Sequence, residues 1–155
     1  APTSPRKRWT PDLPKEAVEA LTKALSADRD VDVRKSAAEA LGHIGNKEAV
    51  DALTKALSAD DNCLCNAAQK ALVRIGKEAV DALTKALSAD DQLSVRYHAA
   101  DALGLIGKRA DLPKEAVDAL TKATHAEDRY VRAAAKNALA KIEASQATKQ
   151  HESKE

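Results

Sequence analysis

Phenylalanine and methionine are absent from this 155-residue chain, and one Trp with two Tyr brings the aromatics to only 2%. Sandwiches and barrels are built from β-branched and aromatic residues, so this scarcity argues against an all-β fold. No apolar run approaches the roughly 20 residues that a membrane span needs. Five Gly and five Pro are too few for a collagenous chain, and 44% hydrophobic content is too much for wholesale disorder. Charge of one sign is also missing. Residues 1–14 carry Arg6, Lys7, Arg8 and Asp12 for a net +2, residues 143–155 a net −1, and the formal total of +1 leaves the stretch between at zero. Nucleic-acid binders show a basic stripe, because phosphate contacts supply most of their affinity. None is visible, and Arg6–Arg8 reads as a solvated leader rather than a binding arm. Cys63 and Cys65 are the only cysteines. Positions i and i+2 of a helix point to different sides, so the two are badly placed to bridge each other. With no hydrophobic signal segment, a reducing, cytoplasmic setting is the expectation.

What the chain does have is repetition. KEAVEALTKALSAD begins at Lys15, KEAVDALTKALSADD at Lys47 and Lys77, and KEAVDALTKATHAED at Lys114. A second segment follows each copy: VRKSAAEALGHIG from Val33, LCNAAQKALVRIG from Leu64, VRYHAADALGLIG from Val95 and VRAAAKNALAKIE from Val131. Leu41, Leu72 and Leu103 are 31 residues apart, and Leu139 follows after 36 because Lys108–Pro113 is inserted. Val18, Leu21 and Leu25 make one apolar stripe at helical spacing, and Val33, Ala37, Leu41 and Ile44 make a second. Each unit is therefore two helices. Ser-Ala-Asp-Asp between them stops one and caps the next. Gly45, Gly76 and Gly107 are expected to close the second helices in the left-handed conformation. Helices this short must be held by stacking, and the 34 alanines let neighbours approach closely.

The predicted fold is all-α: an α-solenoid of four helical-hairpin repeats, about eight helices, at about 14–46, 47–76, 77–107 and 113–143. A basic leader or cap at 1–13 and a polar tail at 144–155 flank this single domain. The insertion is expected to widen the last junction.

The second-helix pattern D-x-x-V-R-x-x-A-A-x-A-L-G-x-I-G resembles the short HEAT-like repeats of the phycobilin-lyase type, and closely resembles the alphaRep artificial repeat proteins. Asp30-to-Gly45 and the stretch ending at Gly107 fit best. The second copy departs at Cys65 for Arg, Gln69 for Ala and Val73 for Gly, and the fourth loses both glycines, at Ala140 and Glu143. The resemblance implies a helical solenoid whose second helices line the concave surface, with these columns varied to create binders in alphaRep proteins. Deoxyhypusine hydroxylase, a HEAT-like enzyme, ligates iron through His-Glu pairs. Here His98 precedes Ala99 and His43 precedes Ile44, and His151–Glu152 is the only such pair.

Few residues suggest chemistry. Arg34, Arg96 and Arg132 form one column with Cys65, and Asp30, Asp60, Asp61, Asp90, Asp91 and Asp128 lie in the preceding turns. The column reads as a ladder of inter-repeat ion pairs and capping bonds that sets stacking register, ahead of an anion-binding row. Arginines on either side would favour a thiolate at Cys65, although a small residue at a variable position is the simpler reading. The histidines fall in different columns, whereas a metal site needs three or four converging ligands. No Gly-rich phosphate loop, nucleophile elbow or Ser-His-Asp set is present. The expectation is no enzyme, no cofactor and no metal.

Function is suggested by where the copies differ. First helices are nearly identical, while outward positions of the second helices vary along the columns Lys35/Asn66/Tyr97/Ala133, Ser36/Ala67/His98/Ala134, Glu39/Lys70/Asp101/Asn137 and His43/Arg74/Leu105/Lys141. Tyr130 tops a further column, so both tyrosines lie on this face, and Tyr and Arg commonly anchor interfaces. The expected partner-binding residues are Tyr97, His98, Asp101, Leu105, Asn66, Lys70, Arg74, Tyr130 and His43. The chain reads as a monomeric, non-enzymatic scaffold that binds a protein partner, without nucleic acid or membrane. The alternatives are a relative or subunit of a lyase-type enzyme, and a designed or consensus-like repeat protein with no natural ligand.

Overall fold

The computed structural model describes residues 15–89 and 91–154. The basic leader with Arg6–Arg8 and Trp9, Pro14, Asp90 and Glu155 lie outside the described residues. Among those described are eight α-helices and no strand: α1 (Lys15–Ala27), α2 (Val31–Ile44), α3 (Lys47–Ala56), α4 (Asn62–Ile75), α5 (Lys77–Ala89), α6 (Leu93–Arg109), α7 (Lys114–Ala123) and α8 (Arg129–Glu152). They pair as four hairpins and stack in two layers, odd helices in one and even helices in the other. No helix among the described residues is long and apolar enough to cross a membrane.

The core lies between the layers and follows from the repeated leucines. Leu53, Leu57, Leu83, Leu87 and Leu120 from the first helices meet Leu41, Leu72 and Leu103 from the second, all at most 1% exposed. Truncating one buried Leu to Ala typically costs about 2–5 kcal/mol. Val18 and Leu25 are buried as the first stripe predicts, with Leu21 half-buried. The second stripe is incomplete: Val33 is 40% exposed whereas its counterparts Leu64, Val95 and Val131 are buried. Among the described residues no second helix precedes α2 for Val33 to lie against.

The caps are Asp30, Asp61 and Asp128, whose carboxylates accept from Asp32 N (2.8 Å), Cys63 N (2.8 Å) and Tyr130 N (2.9 Å). Gln92 takes the equivalent position ahead of α6. At the other ends Gly45 (φ 65°, ψ 14°) is left-handed as expected, whereas Gly76 (φ 77°, ψ −125°) has a positive φ but not the left-handed helical conformation. Gly107 has neither. It lies inside α6, which runs on to Arg109 and so absorbs the first inserted residues. A Cβ at Gly107 would fall 2.6 Å from Ile142 Cγ1, so glycine is needed there for helix contact, not for a turn.

The last junction is accordingly not widened between α6 and α8. A Cβ at Gly104 would lie 2.7 Å from Ala138 Cα and Cβ. The insertion packs instead against the end of α8: Ser145 Oγ donates to Lys108 O (2.8 Å) and Lys149 Nζ lies 3.6 Å from Asp111 Oδ1. Residues 144–152, expected as tail, are the final turns of that helix.

Candidate recognition face

Side chains on the even helices face their neighbours at three junctions, and the sequence makes these unequal. Gly42 meets Ala71 and Gly104 meets Ala138 almost backbone to backbone. Between α4 and α6 the glycine column holds Val73, whose branched side chain keeps the helices from meeting as closely. Gln69 occupies this central junction, replacing the alanine (Ala38, Ala100) that is fully buried in the units on either side. Its Nε2 donates to Asp101 Oδ2 (2.5 Å), so its Oε1 faces His98 Nδ1 at 2.6 Å and must accept, which places a hydrogen on Nδ1. Lys141 of α8 reaches Asp101 at 3.6 Å. Three even helices are thus joined by one polar chain, His98–Gln69–Asp101–Lys141. Burial holds the His98 pKa below its ordinary value of 6.5, with the Asp101 charge opposing the shift. The Tyr97 ring packs edge-on against His98 with centroids 5.2 Å apart, and is 38% exposed.

Asn66, Lys70 and Arg74 are exposed on α4 and join Lys35, Glu39 and Cys63 around a groove of about 540 Å³ between α2 and α4. His43 and Arg74 also share a shallower hollow of about 380 Å³ with Glu78. The expected residues therefore form two clusters: His43, Asn66, Lys70 and Arg74 at the α2–α4 groove, and Tyr97, His98 and Asp101 at the α4–α6 junction. Leu105 is half-buried on α6. Tyr130 stands at the start of α8, 58% exposed, with the Arg129 guanidinium 4.8 Å from its ring centre. Gln69 was missed because a single departure from Ala carries no meaning until Val73 is seen to open the junction beside it.

The arginine column is only partly the expected ladder. Arg34 bridges units, with Nη2 3.2 Å from Asp61 Oδ2. Arg96 and Arg132 instead turn back within their own unit, donating to Leu87 O (3.1 Å) and to Ala126 O and Glu127 O (both 2.8 Å). There they satisfy carbonyls left open where the first helix ends. Cys65 occupies the same place, its thiol donating to Ala59 O (3.1 Å). The simpler reading of Cys65, a small residue at a variable position, fits better than the thiolate alternative: Cys65 is 1% exposed, and burial pushes its pKa up. The Ser94 hydrogen bond lowers it and the Asp61 charge raises it again, but burial is the largest effect and sets the direction. The arginines are aimed at oxygens, not at the sulfur. Cys63 is exposed, and both cysteines are free.

The odd layer carries larger grooves, about 770 Å³ between α3 and α5 and about 640 Å³ between α1 and α3. The even helices pack more closely at two of their junctions than the odd helices do at any. Lys47, Lys55 and Lys85 are equalled in number in the α3–α5 groove by Asp51, Glu78 and Asp81, and the equivalent positions carry the same charge in every copy, with Glu19 for Asp in the first. Among the described residues no group of three or more His, Cys, Asp or Glu side chains is placed to hold a metal ion.

Comparison with known proteins agrees with this architecture. A family described as HEAT repeats matches residues 13–73 and 80–151. Human deoxyhypusine hydroxylase, solved with glycerol, is 28% identical, with a TM-score of 0.62 over 81% of this chain and 43% of its own. The chain thus spans less than half of that protein. The complex of CpcE and CpcF of phycocyanin lyase from Nostoc sp. is 22% identical, with a TM-score of 0.58 over 82% of this chain and 78% of that one, and shares the fold. An engineered protein is 29% identical, with a TM-score of 0.45 over 81% of this chain and 62% of its own. No curated protein sequence matches the chain.

Proposed function

The chain belongs to the HEAT-repeat family, and from that premise we propose that it is a non-enzymatic recognition scaffold that binds a protein partner through the face of its even helices. The observation that carries this is the division of labour between the layers. Odd helices repeat the same charged residues, while the even helices display Asn66, Lys70, Arg74, Tyr97 and Tyr130 around a groove and along an exposed edge. Family membership alone does not assign a function, so the reading rests on these side chains. In it the chain acts as a monomer in the cytoplasm, with neither nucleic acid nor a membrane as partner and with no cofactor. Similarity to the hydroxylase favours a second reading, as part of an enzyme. The expected readout for that reading is turnover, with no dependence on Tyr97.

The test is capture of a binding protein by the wild type, followed by titration of variants at fixed salt. Tyr97→Ala is expected to cost about 2 kcal/mol of affinity if it anchors the contact. Lys23→Ala and Lys55→Ala on odd helices are expected to cost within about 0.5 kcal/mol. Loss with the lysine variants and none with Tyr97→Ala would place the working face on the opposite side.

A further inference from the structure

We propose that the groove between α2 and α4 receives an extended acidic segment of the partner, with carboxylates at alternate positions. The inference rests on the even-helix reading and specifies the chemistry of what that face takes. Lys35, Lys70 and Arg74 line the groove against a single carboxylate, Glu39. None of the three cations has an ion pair among the described residues, whereas Lys141 on the same face is held by Asp101 and Arg34 by Asp61. The lining therefore carries an excess of positive charge, with Glu78 reaching Arg74 only from the adjoining hollow. The odd-layer grooves differ in balance, since three lysines are lined up with three carboxylates in each.

Spacing selects the shape of the occupant. Lys70 and Arg74 are four residues apart on α4, about 6 Å along a helix rising 1.5 Å per residue. Carboxylates at i and i+2 of an extended peptide lie on one side, separated by about 6.6 Å. The two repeats match, so alternate acids would meet Lys70 and Arg74 in turn. Lys35, on the opposite wall near the start of α4, is placed to take a third. From Cys63 to Arg74 the α4 wall is about 16 Å long, the length of about five extended residues. Ala67 and Ala71 leave the floor shallow enough for a backbone to lie close, and Asn66 offers an amide to it.

The probe is a fluorescein-labelled peptide of sequence GSESESESG, read by anisotropy. Controls are the same composition with its acids in one block, a lysine counterpart, and a dT oligonucleotide. Charge reversal of the pair, Lys70→Glu with Arg74→Glu, is expected to weaken the alternating peptide at least tenfold, because each exposed ion pair lost is replaced by repulsion. The neutral pair Lys70→Gln with Arg74→Gln is expected to fall in between. Lys55→Glu with Lys85→Glu is expected to leave binding within twofold. Bound peptide should slow iodoacetamide alkylation of Cys63, which lines the groove. Equal binding of the blocked peptide, equal binding of the oligonucleotide, or insensitivity to the α4 variants would overturn the proposal. Should these fail while Tyr97→Ala still abolishes capture of a protein, the groove assignment falls and the even-helix reading stands. Sensitivity to Lys55→Glu with Lys85→Glu alone removes both.

Discussion

Replacing Gly104 by Ala sets two well-known effects against each other. In an open helix Gly→Ala stabilises by about 0.8–1 kcal/mol, because alanine restricts the unfolded chain and propagates the helix. At Gly104 the added Cβ would stand 2.7 Å from both Cα and Cβ of Ala138. Non-bonded carbons settle at about 3.5–4.0 Å, so α6 and α8 must separate by about 1 Å. The obstacle is backbone and the stub of a side chain, with no flexible end to swing away. Overpacking of this kind costs about 1–3 kcal/mol. The net expectation is a loss of up to about 2 kcal/mol, and α6 and α8 would need to shift together along their length. Urea unfolding followed by circular dichroism measures it as a lower midpoint with an unchanged slope. A Gly104→Ala protein more stable than wild type by about 1 kcal/mol would mean that α6 and α8 do not touch there, and the description of unequal junctions would be wrong.

Three further outcomes follow from individual contacts. In the native protein iodoacetamide is expected to modify one thiol, Cys63, with Cys65 reacting only after unfolding, as mass spectrometry would resolve; prompt double modification contradicts the buried, raised-pKa thiol. Asp61→Ala removes both the α4 cap and the Arg34 partner, and a cost of about 1–2 kcal/mol in urea is expected; no change would show that neither bond matters. Because burial lowers the His98 pKa, the unfolded chain binds more protons than the folded one just below pH 6.5, so stability is expected to fall as pH drops through that window. In His98→Gln that component of the slope should vanish, and an identical slope in both proteins would refute the assignment.

Repetition made the architecture legible in the sequence. The helical hairpin and its leucines recur in all four units and the capping aspartate in three of them, so each was read several times over. Departures were harder. Val33 fits the stripe yet is exposed, because burial depends on a neighbouring unit and not on the helix's own pattern. Gly107 matched two turn-forming glycines, but the insertion after it lengthened α6 and turned it into a contact residue. The arginine column was visible while its direction was not, since whether a guanidinium reaches the next unit or its own first helix is decided by carbonyls no pattern displays. The face was legible as columns that vary. Its polar seam at the α4–α6 junction required Gln69 and Val73 to be seen together, and its cationic groove required α2 to be seen against α4.

Photo-crosslinking tests the central claim, recognition through the even helices, most directly. p-Benzoylphenylalanine would be placed at Asn66 or Tyr97 on the even layer, and at Lys23 or Lys55 on the odd layer, in otherwise wild-type protein. A captured protein partner is predicted to crosslink through Asn66 and Tyr97 and not through Lys23 or Lys55. Crosslinking confined to Lys23 and Lys55 would contradict the account.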